Sequence, residues 1–190
     1  VDWTPEGSYL AGLQIGWEYQ DNNLHIIDTS SWSNVETKNS VITSSSNEGG
    51  TSGNVIDFSP DGDFMFQGKG GNNADGFKIW DTSSLSPSDW SDTTYGPSGE
   101  WKCGEFTLDS NYLVTSNGAS IRKYEVIEGD ALGWDYTGYS AVNDTDDGQI
   151  TISPDYEKEP EVVIAEGQAQ VYDFTDFSNV ESISHPHPKW

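Results

Sequence analysis

The densest cluster of potential metal ligands is Asn143-Asp144-Thr145-Asp146-Asp147-Gly148, with three carboxylates in six residues. Hard cations such as Ca2+ need several carboxylate and carbonyl oxygens converging on a tight turn. The loop supplies such oxygens and a Gly, which makes Asp144, Asp146 and Asp147 the candidate ligands. It departs from the calcium-loop pattern in lacking the closing Glu, so a solvated connector is the simpler reading. His185-Pro186-His187 could share a metal between its imidazoles, but no carboxylate or Cys lies close in sequence, and a disordered tail is simpler. His25 alternates with Leu24 and Ile26 as a structural strand residue. Cys103 has no His beside it and reads as a small buried group rather than a nucleophile. Gly68-Lys69-Gly70-Gly71 follows one strand and precedes another, whereas a phosphate-cradling loop opens a helix. No Ser-His-Asp order or paired-carboxylate motif emerges.

Aromatic side chains offer a different chemistry. Trp17, Trp32, Trp90 and Trp134 stand in loops or outer segments among Asn, Asp and Ser, with Tyr19 and Tyr95 nearby. Exposed rings of this kind stack on sugars or anchor a protein partner. Trp32 matches Leu85 and Phe177 by position and reads as packing, as do Trp3 and Trp80. Trp17, Tyr19, Trp90, Tyr95 and Trp134 are the expected partner contacts.

The chain that must position these groups has 190 residues, enough for one domain or a piece of one. Hydrophobic content is 33%, yet aromatics reach 13% and no long window has helical periodicity. Thin β layers plugged by large rings fit that balance better than a helical bundle. The net charge of −24 repels phosphate, which argues against nucleic acid and against an anionic membrane surface. It also fits adaptation to high salt, where a Debye length of roughly 3 Å at 1 M screens the repulsion. A halophilic source follows as an expectation, with an extracellular, cell-surface or virion location favoured over the cytoplasm. No apolar run is long enough to span a bilayer as a helix. Opening on Val1 without Met or signal sequence is expected of a processed chain or a fragment.

One unit recurs. Val55-Ile56-Asp57-Phe58 reads as a strand, Ser59-Pro60-Asp61-Gly62 as a turn, Phe64-Met65-Phe66 as a second strand and Phe77-Lys78-Ile79-Trp80 as a third. First-strand anchors Trp3, Phe58, Phe106 and Ile152 are spaced 55, 48 and 46 residues apart. Third-strand anchors Ile27, Trp80, Tyr124 and Tyr172 are spaced 53, 44 and 48 apart, each followed by an acid: Asp28, Asp81, Glu125, Asp173. Fourth strands are expected around Val35–Thr43, ending near Glu100–Cys103, and at Val180–Ser184, with 86–97 a polar outer segment. Two anchors drifting together at this period predict propeller blades.

Ser59-Pro60-Asp61-Gly62 after strand one and Ile79-Trp80-Asp81 ending strand three resemble the WD-repeat β-propeller family. The resemblance implies an all-β propeller of four recognisable four-stranded blades at 1–54, 55–103, 104–148 and 149–184, then a tail at 185–190. It further implies that Asp75 and Trp80 belong to a buried hydrogen-bonded set. The family's Gly-His pair before strand one is missing from every unit, and the usual strand-two Ser from the second. Family rings close with about seven blades, within a general range of roughly 4–8. The chain is thus expected to be a fragment of a larger ring or a homo-dimer of paired chains, with a small four-blade ring as the third reading. The expected role is a non-enzymatic scaffold presenting loops to a protein or glycan. The alternative is a propeller-type hydrolase or lactonase with a metal in the channel.

Overall fold

The computed structural model describes residues 1–14, 23–39, 55–68, 77–95, 103–116, 121–126, 149–153, 161–166, 168–173 and 179–183. These residues form an all-β chain of four antiparallel sheets, each a meander in sequence order. Sheet one holds β1 (Asp2–Trp3), β2 (Tyr9–Gln14), β3 (Asn23–Asp28) and β4 (Ser33–Asn39). Sheet two holds β5 (Ile56–Phe58), β6 (Phe64–Gln67), β7 (Phe77–Asp81) and β8 (Ser91–Tyr95), with a single 3₁₀ turn at Pro87–Asp89 before β8. Sheet three holds β9 (Cys103–Phe106), β10 (Tyr112–Ser116) and β11 (Ile121–Glu125). Sheet four holds β12 (Gln149–Ile152), β13 (Glu161–Glu166), β14 (Gln168–Asp173) and β15 (Asn179–Ile183). Among the described residues, no helix is long and apolar enough to cross a membrane.

Two strand boundaries differ from the sequence reading. The fourth strand of the second unit is β8, inside the stretch read as a polar outer segment, rather than a strand ending near Glu100–Cys103. Cys103 does not end that strand; it opens β9 of the next sheet, where its buried side chain and Ser116 pair across the ladder. Polar β-branched Thr93 and Thr94 suit the outer strand of a sheet, a signal that apolar alternation alone does not pick up.

The turn after the first strand repeats the same backbone closure in sheets one, two and three. Thr4, Ser59 and Thr107 each use one hydroxyl to accept the N–H of the residue five positions on, at 3.1, 2.9 and 3.0 Å. The turn closes when Gly7, Gly62 and Ser110 donate their N–H groups back to the carbonyls of Thr4, Ser59 and Thr107, each at 2.8 Å. That closing residue is left-handed, with φ of 75°, 83° and 62°. Gly meets this at no steric cost; Ser110 does so as a strained exception. The acid after the third-strand anchor makes a second repeated turn. Asp28 Oδ1 accepts from the Ser30 and Ser31 N–H groups, both at 2.9 Å, and Asp81 Oδ1 accepts from Ser83 N–H at 3.1 Å. Hydrogen bonds from the Ser30 hydroxyl and the Ser31 N–H hold the Asp28 carboxyl below the usual range.

Each internal sheet packs by one register row. Phe58 pairs with Met65, and Met65 with Trp80; Phe106 pairs with Leu113, and Leu113 with Tyr124. The first row, with Trp90, packs on Ala11, Leu24 and Ile26 of sheet one. The second packs on Phe66, Phe77 and Ile79 of sheet two. Sheets two and three therefore each turn a front face to the sheet before, and sheets one and two each turn a back face to the sheet after. A Cβ on Gly104 would lie 2.8 Å from two ring atoms of Phe66, so only Gly admits that ring at the junction. The edge strands β1, β5, β9 and β12 follow one another side by side. Among the described residues, no comparable packing joins β12 back to β1.

Candidate functional site

Three carboxylates lie along this row of edge strands. Asp2 Oδ2 accepts the N–H of Phe58 at 3.0 Å, and Asp57 Oδ2 accepts the N–H of Phe106 at 2.9 Å. Glu105 accepts the N–H of Ile152. The acids occupy one register position, paired with Ala11, Phe66 and Val114; Thr151, paired with Val163, holds it in sheet four. An edge strand carries N–H groups without a ladder partner, and an acid from the neighbouring sheet satisfies one of them.

Burial pushes the Asp57 carboxyl up to about 7; the Phe106 N–H opposes this, and the charges of Asp2 and Glu105 add to it. Burial likewise pushes Glu105 up to about 7 against the N–H of Ile152. Carboxyls that titrate near neutrality can hold or release a proton there. Sequence reasoning missed these acids, although the signal was present: an acid stands immediately before the first three anchors, in Asp2-Trp3, Asp57-Phe58 and Glu105-Phe106.

The aromatic expectations are partly reversed. Trp90, expected as a partner contact, is only 4% exposed. Its ring meets Phe58 at 6.0 Å and Tyr9 of sheet one at 6.2 Å, and its indole N–H donates to the Ser84 carbonyl at 2.9 Å. It is a plug between sheets one and two, because the 3₁₀ turn before β8 tips it inward. Trp32 and Trp3, expected as packing, are 66% and 47% exposed. They meet edge to face at 6.0 Å on the front of sheet one. Tyr95 ends β8 and pairs with Phe77. Trp17, Tyr19, Trp134, Asp144, Asp146, Asp147, His185 and His187 lie outside the described residues. Among the described residues, no three His, Cys, Asp or Glu groups converge on a metal position.

Trp80 donates its indole N–H to Gln67 Oε1 at 2.9 Å. The strand-two residue that receives it is thus an amide rather than the hydroxyl usual in the WD-repeat pattern; Asp75 lies outside the described residues. The buried Lys78 ammonium sits 5.3 Å from the Trp80 ring centroid and 2.7 Å from Asp92 Oδ2, which supplies its counter-charge. His25 is half-buried with Nδ1 3.2 Å from Thr37 Oγ1, a strand-to-strand contact within sheet one. No protein-family model and no curated protein matches this chain. The fold and site define an all-β protein of repeated antiparallel sheets, three of them with four strands and one with three among the described residues, joined by edge-strand carboxylates.

Proposed function

We propose that the chain is a divergent, WD-repeat-like β-propeller module that works as a non-enzymatic scaffold, presenting loops to a protein or glycan. The four sheets are its blades, and the stretches where the repeats disagree in sequence, 16–22, 143–148 and 156–160, which lie outside the described residues, supply its contacts. One observation carries this reading. Asp2, Asp57 and Glu105, the acids best placed for chemistry, each have an oxygen committed to the backbone of the next sheet. They hold the scaffold together, which leaves recognition to the loops. A glycan array and a surface-protein binding screen test it, with Trp17→Ala and Trp134→Ala as loop variants. The reading expects a ligand whose binding falls in a loop variant while the melting temperature stays put; ligands that bind both variants as well as the parent would count against it.

A second reading, a propeller-type hydrolase or lactonase with a channel metal, is favoured by the neutral-range titration of Asp57 and Glu105. Turnover of ester or lactone substrates that is abolished in Asp57→Asn, together with a stoichiometric divalent ion, would select it. The charge of −24 further supports acid adaptation to high salt. The melting temperature is then expected to rise between about 0.1 and 2 M NaCl as charge repulsion is screened. A flat profile would remove the salt adaptation and leave the scaffold reading intact.

A further inference from the structure

The front face of sheet one carries the same register row as the front faces of sheets two and three. Trp3 pairs with Leu10, and Leu10 with Ile27. The matching rows, Phe58-Met65-Trp80 and Phe106-Leu113-Tyr124, are all buried against a preceding sheet. In sheet one the row is half-buried or exposed, with Val1 lying over Gly12 beside it. Trp32 stands on Trp3 at 6.0 Å, the separation at which Trp90 stands on Phe58. Trp90 is then covered by Tyr9 of the sheet before it, whereas Trp32 is 66% exposed and has no such cover among the described residues. The face is built for a neighbour of the same kind.

We propose that this face receives the fourth sheet of a second copy of the chain, so that two copies close one ring of eight blades. The proposal rests on the propeller reading. Three observations select this occupant. The first is hydrogen bonding. Phe58, Phe106 and Ile152 give their N–H groups to the preceding sheet's acid, but Trp3 gives its own to Asp2 Oδ1 at 2.9 Å. Sheet four is the sheet whose first strand offers no acid, because Thr151 stands there. A junction between sheets four and one therefore leaves neither a donor nor a carboxylate stranded. The second is register and residue type. Val163 and Val171 occupy the register positions of Phe66 and Ile79, and of Ala11 and Ile26, which form the back faces of sheets two and one. The third is that β12 packs beside β9 and, among the described residues, has no comparable packing with β1 of its own chain. A head-to-tail contact that closes after two copies gives two equivalent junctions, and eight blades fall within the range of roughly 4–8 known for such rings.

The test is native mass spectrometry of the 190-residue chain, with sedimentation over about 1–100 μM, where mass action populates a dimer. The expected species has twice the 20.9 kDa chain mass. Trp32→Asp, at an exposed position, is expected to keep the circular dichroism of the parent and weaken dimerisation by about tenfold or more, as for a central aromatic contact. Val163→Asp is expected to do the same from the other side. Mixing the two variants restores a dimer through the one junction that remains intact. A monomer throughout the range overturns the proposal. So does a Val163→Asp protein that dimerises alone while Trp32→Asp does not, since that means two sheet-one faces meet. If Val163→Asp fails to fold, Trp3→Ala with Trp32→Ala tests the same face, and an undiminished dimer overturns the proposal. A monomer that still loses stability on Asp57→Ala keeps the scaffold reading while removing the pairing.

Discussion

The front faces of sheets one and two have nearly the same design and opposite fates. Each sets an aromatic anchor on its edge strand, an apolar partner on strand two and another on strand three, with a Trp standing on the anchor at 6.0 Å. In sheet two Phe58 is 6% exposed and Trp80 is 1% exposed; in sheet one Trp3 is 47% exposed. The difference lies in the neighbour, since Ala11, Leu24 and Ile26 cover the one face and none of the described residues covers the other. The same residue types thus act as core or as surface according to whether another sheet arrives. Burial strength belongs to the junction between sheets rather than to any single sheet.

The largest effect that can break this comparison is removal of a ring from each face. Trp80→Ala at the covered face is expected to cost about 3–5 kcal/mol, because it removes a fully buried ring together with the indole N–H that Gln67 Oε1 accepts. Trp3→Ala at the open face should cost under about 1 kcal/mol in a monomer. Urea denaturation of both variants at low protein concentration measures the gap; equal losses would mean that the two faces are equally covered. Next in size is Gly104→Ala, which drives a Cβ into the Phe66 ring and should cost about 1–3 kcal/mol by overpacking. The companion Gly7→Ala meets no atom within 4 Å and bears only the strain of its φ of 75°.

The carboxylate between sheets two and three sharpens the comparison through pH. The folded-state pKa of Asp57 lies near 7, above its ordinary 3.8. The folded chain therefore binds more protons than the unfolded chain between these values. Stability from this group is fully present at low pH and lost as pH rises through about 7. Asp57→Asn keeps an oxygen for the Phe106 N–H and removes the charge. It should lessen the slope of the melting curve between about pH 4 and 7, leaving the share due to Glu105, and raise the melting temperature above pH 7, by roughly 2–4 °C per kcal/mol recovered. An unchanged slope in differential scanning calorimetry would mean that Asp57 does not titrate in that window. The smallest effect is expected at Ser110. Ser110→Gly relieves a left-handed φ of 62° but loses the bond from the Asp61 N–H to the Ser110 hydroxyl oxygen at 3.0 Å. The two changes are each about 1 kcal/mol and opposed, so the net should stay within about 0.5 kcal/mol. Ser110→Ala keeps the strain, loses the bond and should be the less stable variant.

Much of the sheet order was legible in the chain. The Thr-Pro and Ser-Pro turns, the glycines closing them and the acids after Ile27 and Trp80 are local devices, whose hydrogen bonds run between residues two to five positions apart. The candidate site was less legible. Asp57 and Glu105 stood in plain view before Phe58 and Phe106, but their partners lie 49 and 47 positions away, and only sheet packing brings them together. The sequence places Trp90 at a contact and Trp32 in packing, the reverse of their burial, for the same reason. Position within a repeat says which way a ring leaves its own sheet, not whether another sheet meets it.

Sequence alone determined the all-β class and the recurring strand–turn–strand unit, because turn chemistry and period-two alternation act over a few residues. Tertiary structure alone decided which aromatics are core, which acids join sheets and which face stays open. Those properties depend on water being excluded by a surface contributed from elsewhere in the chain, and no local pattern encodes the arrival of that surface.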